Sequence, residues 1–316
     1  MQLEDAPAVA ELHNAAFEVD GGYRITPGEV RTDMELTGAD LAHNTLVAVE
    51  GDGSLAAVAW CQMPDGASTE QRLNFHWNMV APNWRDRGLG AFVLEWCEAR
   101  GKGLLTEGAV TIPAVFKASA YDWQRGRLDL FASHGYQRVR YFTEMLRDLR
   151  EPLETTAPPQ GIEIRPWSEA LAADAMDVHN DAFRDHWGSQ PMTAERWSAF
   201  RDEFFLPEAS FVAYDATGPV GLVLSSKYPH DFEDRGRTES WVEDLGTARR
   251  VRGRGIGTAL LLAAMDTFRA DGMEYACLGV DSASPTGADR LYARAGFVPE
   301  KVGISLMKAV DRTGSD

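Results

Sequence analysis

Two short segments hold the residue types needed to bind an anion. They are Arg85-Asp-Arg-Gly88-Leu-Gly90 and Arg252-Gly-Arg-Gly255-Ile-Gly257, 167 positions apart and both of the form R-x-x-G-x-G. Each follows a short β-like run and opens an apolar, helix-patterned segment. A glycine-rich turn between strand and helix aims several backbone N–H groups at one point beside a helix N-terminus, where negative charge is favoured. Arginines in such a loop add charge-assisted hydrogen bonds suited to phosphate oxygens. The expected chemistry is the holding of a diphosphate-bearing cofactor, twice in one chain. Arg249, Arg250, Arg252 and Arg254 cluster beside the second loop. Phosphate binding is their expected use, against a merely solvated charged face.

The elements that must position these loops are themselves repeated. His13-Asn14-Ala-Ala-Phe17 is echoed by His179-Asn180-Asp-Ala-Phe183, and Leu130-Phe131-x-x-x-Gly135-Tyr136 by Leu291-Tyr292-x-x-x-Gly296-Phe297. Three landmarks in one order at nearly equal offsets imply an internal duplication. The Pro- and Thr-rich stretch 151–161 reads as an extended linker. The division expected is therefore residues 1–150, a linker at 151–161, and residues 162–316. In the second copy the patterning predicts strands at 162–167, 239–247, 276–280 and 302–308. It also predicts a hairpin over 210–214 and 220–225, and helices at 170–183, 257–271 and 287–294. Strands and helices mixed around one sheet give an α/β (α+β) layer architecture. The first copy follows suit but starts inside its first helix, without a counterpart to the opening strand.

Composition narrows the function classes. A chain of 316 residues suits two domains, each with its own core. No run of about 18 apolar residues is present, so neither a membrane span nor a membrane partner is expected. No basic segment precedes an apolar N-terminal stretch, and the expected location is cytoplasmic. Cys61, Cys97 and Cys277 are scattered and odd in number, as reduced cytosolic core residues are. No H-x-x-x-H or C-x-x-C pattern implies a metal. The formal net charge of -17 argues against a nucleic-acid partner and fits a small cationic or amine-bearing substrate. A monomer or homodimer is expected.

The two loops, the strand before each and the Leu291-Tyr292-x-x-x-Gly296-Phe297 helix end together resemble the GNAT superfamily of acyl-CoA-dependent N-acetyltransferases. The resemblance covers almost the whole chain as two tandem domains, each a mixed central sheet flanked by helices. It implies acetyl-CoA as cofactor and a small-molecule amine as acceptor. In the second domain it implies that Leu245 and Thr247 pair backbone with the pantetheine arm and thioester. The diphosphate would lie against Arg252, Gly253, Arg254, Gly255, Ile256, Gly257 and Thr258. Ser284 stands where the family usually has an asparagine touching the cofactor. In the first domain Val80, Arg85, Arg87, Gly88 and Gly90 keep the matching positions, so cofactor binding there is an expectation too. A nucleotide-binding α/β pair of another kind is disfavoured, because neither a Walker lysine nor a G-x-G-x-x-G turn follows a strand.

The resemblance also names catalytic candidates. Tyr292 matches the tyrosine near the cofactor sulfur, and a phenol can donate a proton as a thiolate leaves. The usual base position, eleven residues before the second loop, is Trp241, which cannot take a proton. Glu239 and Glu243 flank it and should share its face of the strand, with Asp244 on the other. Glu243, nearer the expected thioester, is the candidate base, against a salt-bridged strand carboxylate. In the first domain Phe131 replaces the tyrosine and Trp123 stands at the Ser284 position, so that domain is expected to be inactive. His76 there matches Glu243, as a base or as a structural histidine. His186-Trp187 stands where the expected acceptor loop begins, as a structural anchor for that loop or as a ring that stacks on a substrate. The alternative to an enzyme is a non-catalytic CoA-binding regulatory or scaffold protein, to which Phe131, Trp241 and Ser284 lend weight. The acceptor stays unnamed among antibiotic amines, amino-sugar thiols, amino acids and peptides.

Overall fold

Helices with i, i+4 burial pack on strands such as β2 and β8 that are buried on both faces, and each unit holds its own hydrophobic clusters. The computed structural model describes residues 1–36, 40–63, 71–106, 112–154, 157–187, 189, 191–199, 201–284 and 287–310. The chain divides into one unit of Met1–Arg140 with Gly303–Asp316 and another of Tyr141–Val302.

The first unit contains α1 (Ala6–Asp20), α2 (Pro27–Leu36), α3 (Leu41–Asn44), β1 (Thr45–Val49), β2 (Leu55–Gln62) and β3 (Arg72–Val80). It continues through α4 (Leu89–Thr106), β4 (Ala114–Tyr121), α5 (Arg125–Ser133) and the start of β5 (Gln137–Asp148). β1, β2 and β3 run antiparallel in turn, and β3 pairs β4 in parallel. On α4, Val93, Leu94, Cys97, Gly101 and Leu105 are buried, a helical stripe. Val93 and Cys97 pack there on Ala57, Ala59 and Cys61 of β2. α1 and α2 cover Trp60 from the other side.

The second unit contains β6 (Glu163–Pro166), α6 (Ala172–Ala182), α7 (Ala194–Ala199), β7 (Phe211–Asp215), β8 (Gly218–Ser226) and α8 (Phe232–Arg235). β9 (Glu239–Thr247), α9 (Ile256–Ala270), β10 (Tyr275–Asp281), α10 (Ala288–Arg294) and the start of β11 (Val298–Ala309) follow. β6 to β9 run antiparallel in turn, and β9 pairs β10 in parallel. Val220 and Val223 of β8 join the α9 core with Leu260 and Leu261. Leu222 and Leu224 point the other way, onto Val178 of α6 and the Trp167–Trp197 cluster. A Cβ at Gly221 would stand 2.9 Å from Leu260 Cδ1, so a glycine there lets α9 close on the sheet.

The predicted elements of the second copy lie within a few residues of those observed, but one strand belongs elsewhere. Gly303–Ala309 of β11 pairs antiparallel with β4 in the first unit. Phe142–Asp148 of β5 pairs antiparallel with β10 in the second. The last strand of each copy thus completes the sheet of the other, which moves the division from 150 and 162 to 140/141 and 302/303. A repeat unit read along the sequence carries no record of which sheet its last strand joins.

The repeated His-Asn motif has a positional role. Asn14 bonds Ile25 in both directions, Nδ2 to O at 2.9 Å and Oδ1 from N–H at 3.0 Å. Asn180 does the same to Met192, at 3.3 and 2.7 Å. Each asparagine pins the loop that follows its helix, supplying partners for backbone groups no strand reaches. No helix among the described residues is long and apolar enough to cross a membrane.

Candidate active site

The site begins where two parallel strands stop pairing. β9 and β10 are paired from Glu239–Tyr275 to Val242–Leu278 only, while β9 stays paired with β8 as far as Thr247. Beyond Val242 the β10-facing edge of β9 carries unpaired backbone groups that a ligand chain can use. A β-bulge falls at the same point. Leu224 pairs Asp244 and Ser225 pairs Val242, so Glu243 is the extra residue. Asp244 and Gly246 then face α6, with Asp244 Oδ2 3.4 Å from His179 Nε2. Simple alternation would have placed Asp244 with Val242 on the α9 side. The bulge overrides it.

The loop between β9 and α9 has the backbone its sequence demands. Gly253 and Gly255 take φ of 75° and 82°, the left-handed region that favours glycine. Gly255 is the N-cap of α9 and no side chain caps the helix. The first N–H groups of a helix have no intrahelical acceptor, and such groups favour negative charge. Gly257 packs closely, since a Cβ there would lie 3.4 Å from Thr247 Oγ1 and 3.6 Å from Leu291. The arginine cluster is mostly committed elsewhere. Arg249 pairs with Asp185 and Arg250 with Asp215. Arg252 donates to the carbonyls of Ala182 at 2.7 Å and Thr247 at 3.4 Å. Arg254 is exposed and makes no ion pair among the described residues.

Tyr292, on α10, is buried against Phe297 with the rings edge to face at 6.0 Å. Desolvation, followed by the charge of Asp244, lifts its phenol to about 12. Its hydroxyl makes no hydrogen bond among the described residues. Glu243 accepts a hydrogen bond from Tyr228 Oη at 3.0 Å. Burial raises its carboxyl to about 7, the Tyr228 bond pulls it down, and Asp244 and Asp202 push it up. Glu239 is occupied otherwise, buried between Arg235, Arg237 and the Trp241 indole N–H. Ser284 lies in the turn after β10, its N–H on Asp281 O at 3.0 Å. Trp187 is half-buried, with its ring 6.3 Å from Phe142.

The first unit repeats the frame with other contents. β3 and β4 pair only as far as Phe75–Lys117, and Gly88 has φ of 83°, as Gly255 does. Arg85 reaches Val80 O as Arg252 reaches Thr247 O, both at 3.4 Å, and its guanidinium grips Asp20 at 2.7 and 2.8 Å. Arg87 lies over Trp84 instead of free. β3 pairs β2 without a bulge, so His76 faces α4, where a Cβ on Gly101 would be 3.1 Å from its Nε2. His76 Nδ1 meets the Tyr136 hydroxyl at 2.8 Å, and burial, then the Lys308 charge, holds its pKa near about 3. That is a neutral core histidine. Phe131 is fully buried in the place of Tyr292.

Sequence reasoning missed the residues around Glu243. Tyr228, His230 and Phe204 form a cluster of tilted and edge-to-face rings, at centroid distances of 5.1 to 6.0 Å. Tyr228 and His230 follow β8 and Phe204 precedes β7, with no motif to announce them.

Residues 172–297 match the family described as "Acetyltransferase (GNAT) family". The chain is 28% identical over 296 residues to a protein of Thermobispora bispora named mycothiol acetyltransferase, covering 93% of this chain and 92% of that one. A crystal structure of a GCN5-related N-acetyltransferase from Sphaerobacter thermophilus superposes with a TM-score of 0.72 at 27% identity, covering 98% and 94% of the two chains. A tandem GNAT protein from the clavulanic acid biosynthesis pathway shares the fold, with a TM-score of 0.70 at 16% identity and coverage of 98% and 96%.

Proposed function

We propose that this chain, a tandem member of the acetyltransferase (GNAT) family and an acyltransferase that uses acetyl-CoA, moves the acetyl group to a primary amine of a small molecule by direct attack, with the chemistry in the second unit. One contrast carries the reading. The second unit has the phenol of Tyr292 and the carboxylate of Glu243 where the first has Phe131 and a buried, neutral His76.

Each residue then has a task. Backbone N–H groups of Gly253, Arg254, Gly255, Ile256, Gly257 and Thr258 receive the diphosphate, and the exposed Arg254 adds charge. Arg252 contributes backbone only, its guanidinium being held by Ala182 and Thr247. Leu245 and Thr247 offer the unpaired strand edge to the pantetheine arm, and Ser284 a hydroxyl at the turn. A strand-end N–H in this splay serves as donor to the oxyanion. Glu243, poised near neutrality, takes the proton of the attacking nitrogen. Tyr292 gives a proton to the departing thiolate. Burial that lifts the phenol to about 12 keeps it protonated, and the same dry surroundings make a thiolate more basic.

The acceptor side fits a cation. Asp202 and Asp244 act on Glu243, and the rings of Phe204, Tyr228 and His230 stand beside it. The relatives' name makes a mycothiol-type molecule the first to try. The test is free-CoA release from acetyl-CoA across that molecule and a panel of primary amines, using wild type, Glu243→Gln and Tyr292→Phe. Turnover that survives both changes and disappears with a first-unit substitution would overturn the assignment.

A further inference from the structure

The two units treat their strand gaps differently. In the second unit nothing at position 288 can cross the gap, because α10 begins with alanine. Its counterpart in the first unit, 161 positions earlier, is Arg127 in the first turn of α5. Arg127 Nη1 donates to Asn78 O at 2.9 Å and Nε donates to Ser119 O at 3.0 Å. Asn78 lies on β3 and Ser119 on β4, both past the last β3–β4 pair at Phe75–Lys117. By the repeat offsets Asn78 corresponds to Leu245 and Ser119 to Val280. The guanidinium therefore sits on the carbonyl at the position that the second unit is proposed to offer the pantetheine arm. Its Cζ lies over the Phe131 ring, 5.2 Å from the centroid.

The mouth of the same gap is tied shut. Trp123 Nε1 donates to Asp20 O at 2.8 Å and stacks on Tyr121 at 4.3 Å, while the Asp20 carboxylate holds Arg85. The end of α1 is thereby fixed both to the loop before α4 and to the turn after β4. The second unit has Ser284 at the Trp123 position, too short for such a tie.

We infer that Arg127 is a built-in substitute for the pantetheine arm in the first unit, so that the chain takes one acetyl-CoA, in the second unit alone. The arm could enter the first unit only by evicting a guanidinium from two carbonyls and leaving a desolvated cation without acceptors. This rests on the second-unit reading proposed above for where an arm runs, but it is tested separately.

The test is the acetyl-CoA stoichiometry of the full chain by native mass spectrometry and calorimetry. Wild type should bind one equivalent. Arg127→Met, which keeps the length without the donors, and Arg127→Ala should each gain a second, weaker equivalent. Gly255→Trp should take wild type to zero and leave one in the double variant with Arg127→Ala. Two equivalents on wild type would overturn the inference, as would folded Arg127 variants that gain none. Should those variants fail to fold, hydrogen exchange of wild type decides instead. Acetyl-CoA should slow exchange in 243–258 and leave 76–80 and 117–121 unchanged, and protection in the latter pair would sink the idea. Zero binding by wild type with one equivalent on Arg127→Ala would refute the second-unit reading while upholding the plug.

Discussion

The Tyr228 phenol donates to Glu243 at 3.0 Å, at the one residue of β9 that the bulge leaves without a cross-strand partner. The bond favours the charged carboxylate, while burial and the charges of Asp244 and Asp202 favour the neutral acid, and the balance lies at about 7. If Glu243 is the base, kcat/KM should rise with pH and level off above that value. Tyr228→Phe removes the hydrogen bond that lowers it, so the rising limb should move to higher pH. A limb that stays in place in that variant, with chemistry rate-limiting, would remove Glu243 from the mechanism.

The same carboxyl should cost stability at high pH. Its folded pKa of about 7 exceeds the ordinary 4.5, so between these values the native state binds more protons than the unfolded one. Stability then falls as pH rises through the window, and the full penalty is present above about 7. Glu243→Gln keeps an acceptor for Tyr228 and removes the penalty. It should be more stable than wild type at pH 8 by on the order of 1–3 kcal/mol, allowing for partial solvent access, with the difference gone below about pH 4.5. Urea titrations at several pH values read this, and a pH-independent difference would show that the carboxyl titrates normally.

Asn180 should matter to its loop and little to the core. Its two bonds to Met192 supply partners to backbone that no strand reaches. Asn180→Ala should cost about 1–3 kcal/mol and speed proteolysis within 184–192. Asn14→Ala should act alike on the loop at Ile25. Unchanged cleavage rates in both would mean the repeated asparagines do not hold these loops.

Much of this fold and site is legible in the sequence alone. The strand over 239–247, the glycine loop and the helix after it are fixed by local signals: alternation, a turn that needs left-handed residues, and an apolar stripe. Tyr292 and Gly255 stood out because the repeat displayed them beside Phe131 and Gly88. What escaped depends on partners distant in sequence. The bulge at Glu243 exists only relative to β8. The exchange of β5 and β11 is a choice of sheet, which periodicity within a strand does not encode. The arginine run reads as a free cationic cluster until Asp185 and Asp215, from other elements, neutralise two of its members. Arg127 carries no local signal, because the two carbonyls it holds lie on β3 and β4, past the end of their pairing.

Gly255 should be intolerant for two separable reasons. At φ of 82° any side chain strains the backbone, by roughly 1–2 kcal/mol. A bulky side chain also fills the space before the α9 N-terminus. Gly255→Ala carries the strain with little bulk and should keep measurable acetyl-CoA binding. Gly255→Trp carries both and should abolish binding in the second unit while the protein still melts cooperatively. Calorimetry of the two variants distinguishes the causes. Equal affinities for wild type and Gly255→Trp would place the diphosphate elsewhere.

Tyr292→Phe isolates the hydroxyl. The ring packs against Phe297 and belongs to the α9 core, so phenylalanine keeps the packing, and the lost O–H has no protein partner among the described residues. Stability should therefore change little, and the melting temperature should stay close to wild type. If the phenol protonates the leaving thiolate, kcat should fall by roughly 100-fold, within the range general acid catalysis contributes, with the acetyl-CoA dissociation constant nearly unchanged. A proton donor that acts only on the leaving group also makes a sharper demand. An acyl donor whose thiol is more acidic needs less help, so the deficit of Tyr292→Phe should shrink with such a donor, while that of Glu243→Gln should not. A deficit equal for both donors would mean that Tyr292 shapes the site without giving a proton. Wild-type turnover in Tyr292→Phe, with chemistry rate-limiting, would leave it a packing residue, as Phe131 is in the first unit.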